Sequence, residues 1–370
     1  LAGDINGTQD LTVNGDGDTE LRGVIATGAK ALVKNGTGIL TLNGKGTNTF
    51  SGTTTVNAGT LVLAKTNGVI GVNAIAGGPV VVNNGGLLSY AVTSTNNPDL
   101  MGTGTVTLNG GGQLDFNGAS DTIGAVSIVS SGAIVDTTNL LNTAGGGNLT
   151  VAALTVNPAP GLLTRIDSGT GTLTLGGNLT FNANANGRAQ LVGKLALGGA
   201  TRALVINTGI ATNDDLVIDA AISGSAGVDI IKVGGGVLRL NGANTFDGSL
   251  MLTNLPNSVT VGSVILGNSQ ALGTPSAARA VTVNVGDTLA FDGAGISDPN
   301  NRITLNLNGT GNARHGSVSG ALVNLSGSNT VPCAVALAGT TQIASKQGKL
   351  TFTGAFSGAQ ALTFAGPGET

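Results

Sequence analysis

The sequence predicts an all-β fold, a parallel β-helix (β-solenoid) that builds an elongated rod. Three observations predict it: short strand-like runs recur along the chain, glycine supplies 63 of the 370 residues, and the pattern of residues 32–63 returns later. Residues 32–63 contain three runs of alternating or β-branched side chains, at 39–42, 53–56 and 60–63. Apolar residues with a period of two, bounded by Gly and Asn-Gly, are typical of half-buried strands.

The composition favours a folded chain with a narrow core. Charged residues make up 9% of the chain and apolar residues 40%, the opposite of the balance in disordered chains. Aromatic residues make up only 2%, so aliphatic side chains and threonine have to fill the interior. Glycine far exceeds its usual share of about 7% without a Gly-X-Y period, which excludes collagen.

Composition also excludes several classes of protein. The formal net charge is −3 and there is no basic block, so we expect no nucleic-acid binding. No run of 18 apolar residues is present, so we expect no membrane span in this segment. Cys333 is the single cysteine, which rules out an intrachain disulfide and predicts a small buried side chain. The chain begins at Leu1 without a leader, which predicts a mature or excised piece of a longer protein.

Further strand-like runs follow in chain order, each separated from the next by a turn rich in Gly or Asn. The clearest are at 11–13, 20–21, 24–25, 106–108, 113–116, 125–128, 133–135, 259–261, 264–266, 281–283 and 289–291. We expect them to form one continuous β-solenoid segment over residues 1–370, with an irregularity near 157–161, where two prolines interrupt the pattern. The inward face of each turn is expected to be aliphatic and the outward face polar.

Asn-Gly occurs eleven times and admits two interpretations. One is a type I′ hairpin turn, which needs positive φ at both central residues. The other is a tight corner between successive sides of a solenoid, where Asn and Gly also tolerate left-handed φ. Hairpins would require an antiparallel sheet of about 30 strands, far beyond the usual size. We therefore prefer the solenoid, which accommodates any number of strands.

The opening pattern recurs at 230–252, and shorter copies follow the same outline at 345–358 and 168–181. Three features align between the first two copies: a lysine, a pair of alternating leucines and a Thr-Phe pair. These are Lys34 with Lys232, Leu40 and Leu42 with Leu238 and Leu240, and 49–50 with 245–246. Internal repeats of this kind are typical of solenoids. We expect the leucines to point inward, and Thr41, Thr53 and Arg239 to point outward.

The shared pattern, K-x-G-x-G-x-L-x-L-N-G-x-N-T-F-x-G followed by T-x-V-N-A-G-T-L-x-L, resembles the autotransporter-associated β-strand repeat of bacterial surface proteins. It runs from Lys34 to Leu63 and again from Lys232 to Gly248, although the second copy lacks the V-N-A-G-T portion. The resemblance implies a right-handed β-helical passenger or stalk. It supplies no catalytic residues.

One acidic turn is a weak candidate for a calcium site. Asp16, Asp18 and Glu20 present oxygen ligands at alternating positions, as a hard cation prefers. The turn lacks the twelve-residue EF-hand loop and occurs once, whereas calcium-binding β-rolls repeat in tandem. We therefore prefer to interpret it as a solvated acidic turn, and we expect no metal and no cofactor.

Paired carboxylates are the remaining candidates for catalysis. The first group is Asp214, Asp215 and Asp219, with Lys232 or Arg239 as a helper, and it would suit a polysaccharide-active β-helix enzyme. A second pair is Asp115 with Asp121. The acids are dispersed and the aromatic residues that stack on sugars are scarce, so we expect no enzyme and no catalytic residue.

His315 is the single histidine, so a Ser-His-Asp triad or a histidine metal site is not expected. We expect it to be an exposed loop residue. Gly234–Gly236 do not match a phosphate-binding loop, and corner glycines explain them.

The predicted function is that of an extracellular or cell-surface shaft in a bacterium, either a surface fibre or an adhesin stalk. Open strand edges at the ends of a solenoid recruit further strands, so we expect end-to-end self-association or pairing with neighbouring repeats. Two alternatives are a polysaccharide-active enzyme and an adhesin that binds a cell-surface partner through the irregular stretches 92–101 or 294–302.

Overall fold

The structure is a computed structural model that describes residues 1–66, 72–91, 100–129, 139–142, 146–182, 185–207, 214–254, 260–316 and 318–370. Its secondary structure over these residues is entirely β, with no helix, which confirms the predicted fold class. The chain divides into two compact units. Unit 1 comprises residues 1–177 and 192–194, and unit 2 comprises residues 178–191 and 195–370.

The first nineteen strands lie in unit 1. They are β1 Ile5–Asn6, β2 Leu11–Val13, β3 Thr19–Leu21, β4 Ile25–Ala26, β5 Leu32–Lys34, β6 Ile39–Leu42, β7 Thr54–Val56, β8 Gly59–Leu63, β9 Val80–Val82, β10 Gly86–Tyr90, β11 Val106–Asn109, β12 Gln113–Asp115, β13 Asp121–Ile123, β14 Val126–Val129, β15 Asn139–Asn142, β16 Leu149–Val151, β17 Leu154–Asn157, β18 Leu163–Asp167 and β19 Leu173–Leu175.

The remaining strands follow in chain order. They are β20 Leu179–Asn182, β21 Arg188–Val192, β22 Lys194–Ala196, β23 Arg202–Asn207, β24 Leu216–Ile218, β25 Ala221–Ser223, β26 Ile230–Val233, β27 Val237–Leu240, β28 Leu250–Thr253, β29 Ser263–Leu266, β30 Arg279–Val283, β31 Thr288–Asp292, β32 Ile303–Gly309, β33 Leu322–Ser326, β34 Ser328–Val331, β35 Ala334–Ser345, β36 Lys349–Phe352, β37 Phe356–Ser357 and β38 Leu362–Ala365.

The strands stack in parallel, turn upon turn, within each unit. In unit 1 one ladder contains β2, β5, β7, β9, β11, β14 and β17, and a second contains β3, β6, β8, β10, β12, β15 and β18. Unit 2 repeats the scheme, with β20, β23, β26, β28, β30, β32, β35 and β37 in one ladder. Its second ladder contains β21, β24, β27, β29, β31, β33, β35 and β38. The hairpin interpretation of Asn-Gly is therefore wrong for the described strands, and the solenoid interpretation is confirmed.

The length of one turn varies more than a simple repeat would suggest. A turn takes 20 residues between the paired Val106 and Val126, and 31 between the paired Leu250 and Val281. Because the strands stay in register, the connections absorb the difference. The connection at 158–162 overlaps the irregularity predicted at 157–161 and is closed by a hydrogen bond of 3.1 Å from the Leu162 amide to the Ala159 carbonyl. That residues 1–370 form one continuous segment stays a prediction.

The inward ladders form the core. Leu40 and Leu42 of β6 are fully buried, as are Leu238 and Leu240 of β27, and this confirms the predicted inward register. Thr41 and Arg239 lie on the outward face and are half-buried. Burying one such leucine is worth about 1.5–3 kcal/mol, so a slip by one residue would be strongly unfavourable.

Asparagines at successive corners of unit 1, three of them from Asn-Gly pairs, are joined by a ladder of side-chain amides. The ladder consists of Asn14, Asn35, Asn57, Asn83 and Asn109. From Asn35 onward, each Asn donates from Nδ2 to Oδ1 of the Asn one turn earlier, at 2.6–3.0 Å. The corner glycines serve two purposes. Gly44 adopts a left-handed φ of +95°, which other residues rarely adopt. At Gly36 the previous turn lies so close that a Cβ would be 1.6 Å from the Gly15 carbonyl oxygen. Close backbone stacking, as well as left-handed φ, therefore requires glycine at these corners.

Three predicted features lie wholly or partly outside the described residues: the strand at 133–135, the start of the strand at 259–261, and positions 92–99 of the first irregular stretch. The described residues contain no helix long and apolar enough to cross a membrane.

A charged lateral groove as the candidate functional site

The lysine of the repeat pattern points into the solenoid. Lys34 and Lys232 are almost fully buried, and each donates from Nζ to the carbonyl two residues ahead, that of Gly36 and Gly234 respectively. Burial lowers the pKa of both amines, that of Lys232 to about 8. The repeat lysine therefore satisfies a corner carbonyl from inside. Lys232 is not available as the surface helper of a catalytic site, and that hypothesis is wrong.

The asparagine of the T-N-T-F portion connects three turns. Asn48 accepts the Ile25 amide at 2.9 Å and donates to the Ala74 carbonyl at 2.8 Å. Asn244 is its counterpart, accepting from Ile222 at 2.8 Å and donating to Ala271 at 2.6 Å. The phenylalanines that follow, Phe50 and Phe246, are also buried. The lysine, asparagine and phenylalanine of the repeat pattern therefore stabilise the interior of the solenoid and the contacts between its turns.

The three carboxylates of the weak calcium candidate accept hydrogen bonds from residues of the next turn. Asp16 accepts the Thr37 hydroxyl at 2.7 Å, and Asp18 accepts the Ile39 amide at 2.9 Å. Glu20 accepts from Asn43 at 2.6 Å. These hydrogen bonds lower the pKa of Asp16 and Glu20. In the part of the chain that the structure describes, no group of three or more His, Cys, Asp or Glu residues could hold a metal ion.

The second carboxylate pair has structural partners. The Asp115 side chain accepts the Asn117 amide at 2.8 Å within a turn. Asp121 is buried and accepts the Tyr90 hydroxyl at 2.5 Å and the Met101 amide at 3.2 Å. Both carboxylates are therefore engaged in hydrogen bonds within the fold.

The first acidic group divides. Asp215 is buried and accepts the Val237 amide at 2.8 Å, and Asp219 accepts from Gln190 at 2.5 Å and from Asn241 at 2.7 Å. Asp214 and Arg239 come together on the outer surface, with Asp214 Oδ2 2.5 Å from Arg239 Nε. Only this pair of the predicted group reaches the surface groove.

That groove, which we call the lateral groove, belongs to unit 2 and has a volume of about 460 Å³. Its charged residues fall into two clusters, which we call its two walls and describe below, and we call its two aliphatic residues, Ile265 and Leu325, the floor. The lining residues are Asp214, Arg239, Ile265, Asp292, Arg314, His315, Gly316, Leu325 and Lys346.

The groove forms because a segment folds over the outside of the sheet. Arg239 is followed in register by Ile265, Ala290, Val323 and Ala344 on successive strands. The last four of these side chains are buried, although they lie outside the solenoid core, because Val318 packs against them. The described residues on either side of 317 thus cover an apolar stripe and leave a charged rim.

Asn312 holds the covering segment in place. It is buried and donates from Nδ2 to the Gly262 carbonyl at 2.9 Å and to the Gly286 carbonyl at 3.1 Å. This cover was not predicted from the sequence, in which the outward positions were expected to be polar. A signal was nevertheless present in the sequence, since 264–266 and 289–291 are unbroken apolar runs, and the structure buries both runs on both faces.

Arg239 links the two carboxylates of one wall. Its Nη1 lies 2.9 Å from Asp292 Oδ2, in addition to the contact with Asp214. Asp292 also accepts the Ser326 hydroxyl at 2.7 Å, and this hydrogen bond and Arg239 lower its pKa. Both carboxylates are therefore held near a guanidinium that compensates their charge.

The second wall contains Arg314, His315 and Lys346. Lys346 is exposed and donates from Nζ to the His315 carbonyl at 2.8 Å. His315 is half-buried, which corrects the expectation of an exposed loop histidine. Burial lowers the pKa of His315 to about 4, so its imidazole is neutral at pH 7. Its Nε2 is buried without a hydrogen-bond partner.

This chemistry favours binding over bond cleavage. Glycoside hydrolysis needs one carboxylic acid with a raised pKa beside a carboxylate. In the lateral groove the pKa of Asp292 is lowered. A neutral, buried imidazole nitrogen is also badly placed to exchange protons with a bound substrate. The groove offers fixed charges and an apolar floor.

Two further predictions concern other parts of unit 2. Cys333 is fully buried and burial raises its pKa to about 12, so its prediction as a small buried side chain is confirmed. In the stretch 294–302, Asp298 is buried and accepts the amides of Arg302 at 2.9 Å and Ile303 at 2.8 Å. These bonds anchor the stretch to the solenoid.

Comparison with known proteins supports the resemblance seen in the sequence. Residues 32–63 and 230–254 match the family model described as Passenger-associated-transport-repeat, and these are the two longest copies of the pattern. Over 149 residues the chain is 33% identical to the Adhesin BmaC autotransporter of Brucella suis biovar 1 (strain 1330). This match covers 36% of the chain and 4% of that protein, so the chain spans a small part of the relative's length. No solved structure matches the chain.

Proposed function

We propose that this chain is a segment of an extracellular, adhesive β-helical passenger displayed at a bacterial surface. The observation that carries the proposal is the coincidence of two passenger-associated-transport repeats with a parallel solenoid built from their residues. Lysine, asparagine and phenylalanine of each repeat contact the interior or the neighbouring turns. The similarity to an autotransporter adhesin supports the same role.

The mechanism is mechanical. Each turn binds the next through backbone pairing and, in unit 1, through the amide ladder at the corners. This arrangement gives stiffness without disulfides, and the chain has one cysteine. Outward polar side chains hydrate the surface and are available for contact with a partner. We infer no catalytic step.

Surface display is tested with antibodies raised against this chain and applied to cells that produce the parent protein. We expect intact cells to be labelled as strongly as permeabilised cells, and brief protease treatment of intact cells to remove the label. Labelling confined to permeabilised cells would overturn the proposal. Deletion of this segment from the parent protein should reduce attachment of the cells to a host-cell or matrix surface.

We also propose that one edge of unit 2 stacks on a further turn of the same kind, in a longer chain or in a second copy. In the described part of the chain β38 pairs only with β35, so its other edge is open. Phe352 lies near it, with its ring centroid 5.1 Å from that of Phe356 and 6.5 Å from that of Phe364. Phe356 and Phe364 are 39% and 50% exposed. Open edges with exposed apolar side chains favour strand addition.

Analytical ultracentrifugation tests the stacking of copies. We expect concentration-dependent association that Phe364→Glu abolishes, because the charge would be buried at the new interface. Met251→Glu is the matched control, since Met251 is 41% exposed on an outward position of β28. A compact monomer at all concentrations, or equal effects of the two substitutions, would count against stacking between copies.

A further inference from the structure

We propose that the lateral groove binds a carboxylate-bearing sugar unit of an acidic polysaccharide. The inference rests on the adhesive role proposed above, since it names the chemistry that this surface would recognise. Its volume of about 460 Å³ lies within the usual range of ligand sites, about 300–1,000 Å³. The groove therefore has room for one or two sugar rings.

The charges of the groove are divided between its two walls. Asp214 and Asp292 share Arg239 on one wall, so these three groups together carry a net negative charge. Arg314 and Lys346 on the other wall carry two positive charges. With His315 neutral at pH 7, the whole groove has a net charge of +1, and Arg314 and Lys346 carry the positive excess.

Lys346 is the cation best placed to receive an anionic group. Its Nζ donates to one backbone carbonyl, and the ion pairs of the described residues do not include it. An ammonium with two remaining donors can bind a carboxylate through charge-assisted hydrogen bonds. The exposed side chain reaches such a group without rearrangement of the fold.

The two aspartates restrict what else the ligand can be. Asp214 and Asp292 repel a phosphate or sulfate dianion more strongly than a carboxylate, because the dianion carries twice the charge. A sugar hydroxyl is instead a donor that a carboxylate accepts. A ligand with one carboxylate and several hydroxyls satisfies both walls at once.

The two aliphatic residues of the floor can make apolar contact with a sugar ring. Ile265 is buried and Leu325 is partly buried, and both belong to the groove lining as aliphatic side chains. The C–H face of a pyranose ring fits such a surface. None of the lining residues is Phe, Tyr or Trp, and the His315 imidazole is half-buried, so recognition of a neutral sugar by ring stacking is not favoured here. Orientation must then come from the carboxylate, and this selects acidic over neutral sugars.

Isothermal titration calorimetry of the intact chain tests the inference with two acidic probes and their neutral counterparts. The probes are trigalacturonic acid with its methyl ester, and sialyllactose with lactose. We expect at least one acid to bind in the micromolar to millimolar range and to bind at least tenfold more tightly than its neutral counterpart. Equal affinity of acid and neutral form, or no binding of either acid up to about 10 mM, would overturn the inference.

Substitutions locate the binding. Lys346→Gln removes the charge and keeps most of the side-chain length, and we expect it to weaken binding of the acid at least tenfold. Lys349→Gln is the control, because Lys349 is also exposed but lies outside the groove lining. Thermal melting should be unchanged in both variants. Equal effects of the two substitutions, or none, would refute the assignment of the groove.

The outcome is separable from that of surface display. Labelled intact cells combined with a chain that binds neither acid would overturn this inference and leave the proposed function standing. Binding of the acids by a chain whose parent stays inside the cell would do the reverse. Lys346-dependent binding of an acidic peptide in place of the sugars would reject the sugar and keep the groove as an anion site.

Discussion

Asn244 joins three successive turns of unit 2, which makes it the most informative position for a single substitution. Its Oδ1 accepts the Ile222 amide at 2.8 Å, and its Nδ2 donates to the Ala271 carbonyl at 2.6 Å. The side chain is 1% exposed, so water cannot replace either partner. Asn244→Ala would leave one buried donor and one buried acceptor without a partner.

The expected loss of stability follows from those two groups. Leaving a buried polar group unsatisfied costs about 1–3 kcal/mol, so the free energy of unfolding should fall by about 2–6 kcal/mol. This is a large part of the stability of a typical domain, about 5–15 kcal/mol. Asn306→Ala is the control, because Asn306 lies on the outward face of β32 and should change stability by no more than about 0.5 kcal/mol.

Urea denaturation measures the loss, and hydrogen exchange localises it. In Asn244→Ala the Ile222 amide should exchange much faster than in the wild type. In Asn244→Asp an acceptor for that amide remains, so its protection should persist, although a buried carboxylate facing the Ala271 carbonyl still destabilises the fold. A loss below about 1 kcal/mol with unchanged protection of Ile222 would refute the bridging role.

Two further predictions concern a corner and the lateral groove. Gly36→Ala should destabilise unit 1 by about 1–3 kcal/mol or more, because the new Cβ would clash with the Gly15 carbonyl. Gly7→Ala is the control and should be near neutral, since a Cβ at Gly7 would have no atom within 4 Å. Equal urea midpoints for the two variants would contradict this prediction. The pKa of His315 is lowered from 6.5 to about 4, so the folded state binds its proton less tightly than the unfolded state, and the stability present above pH 6.5 is lost as the pH falls toward 4. Between pH 7 and pH 5 the free energy of unfolding of the wild type should fall by about 1–2 kcal/mol more than that of His315→Gln, as measured by urea denaturation at both pH values. The charged groups near the imidazole are the same in both proteins, namely Arg239, Arg314, Lys346, Asp214 and Asp292. Equal losses in the two proteins would contradict the assignment.

The groove also bears on the enzyme alternative. A polysaccharide-active enzyme and a sugar-binding adhesin would both use acidic and basic side chains on a lateral face. The described geometry favours the second, because Asp214 and Asp292 share one guanidinium and the pKa of Asp292 is lowered. If an acidic oligosaccharide is bound, its chain length should be unchanged after prolonged incubation with the protein.

Local pattern was sufficient to predict the architecture and the inward positions. The alternation at Leu40 and Leu42, and again at Leu238 and Leu240, identifies the buried face because side chains on a strand point to opposite sides in turn. The number of Asn-Gly pairs predicts corners, and the matching lysines 34 and 232 identify the repeat. These features depend on residues that are close together in the chain or that repeat along it, so they can be recognised in a single sequence.

The candidate site depended on the tertiary structure. Asp214, Arg239, Asp292, His315 and Lys346 come from different turns, and the spacing between paired residues varies from 20, for Val106 and Val126, to at least 33, for Leu289 and Leu322. Because the connections absorb this variation, spacing along the chain does not reveal which outward residues share a face. The burial of Lys232 and the cover formed around Val318 likewise follow from stacking and packing across turns. The sequence by itself therefore determined that this chain forms a parallel solenoid and which leucines fill it, whereas only the folded turns decided which charges meet on its surface.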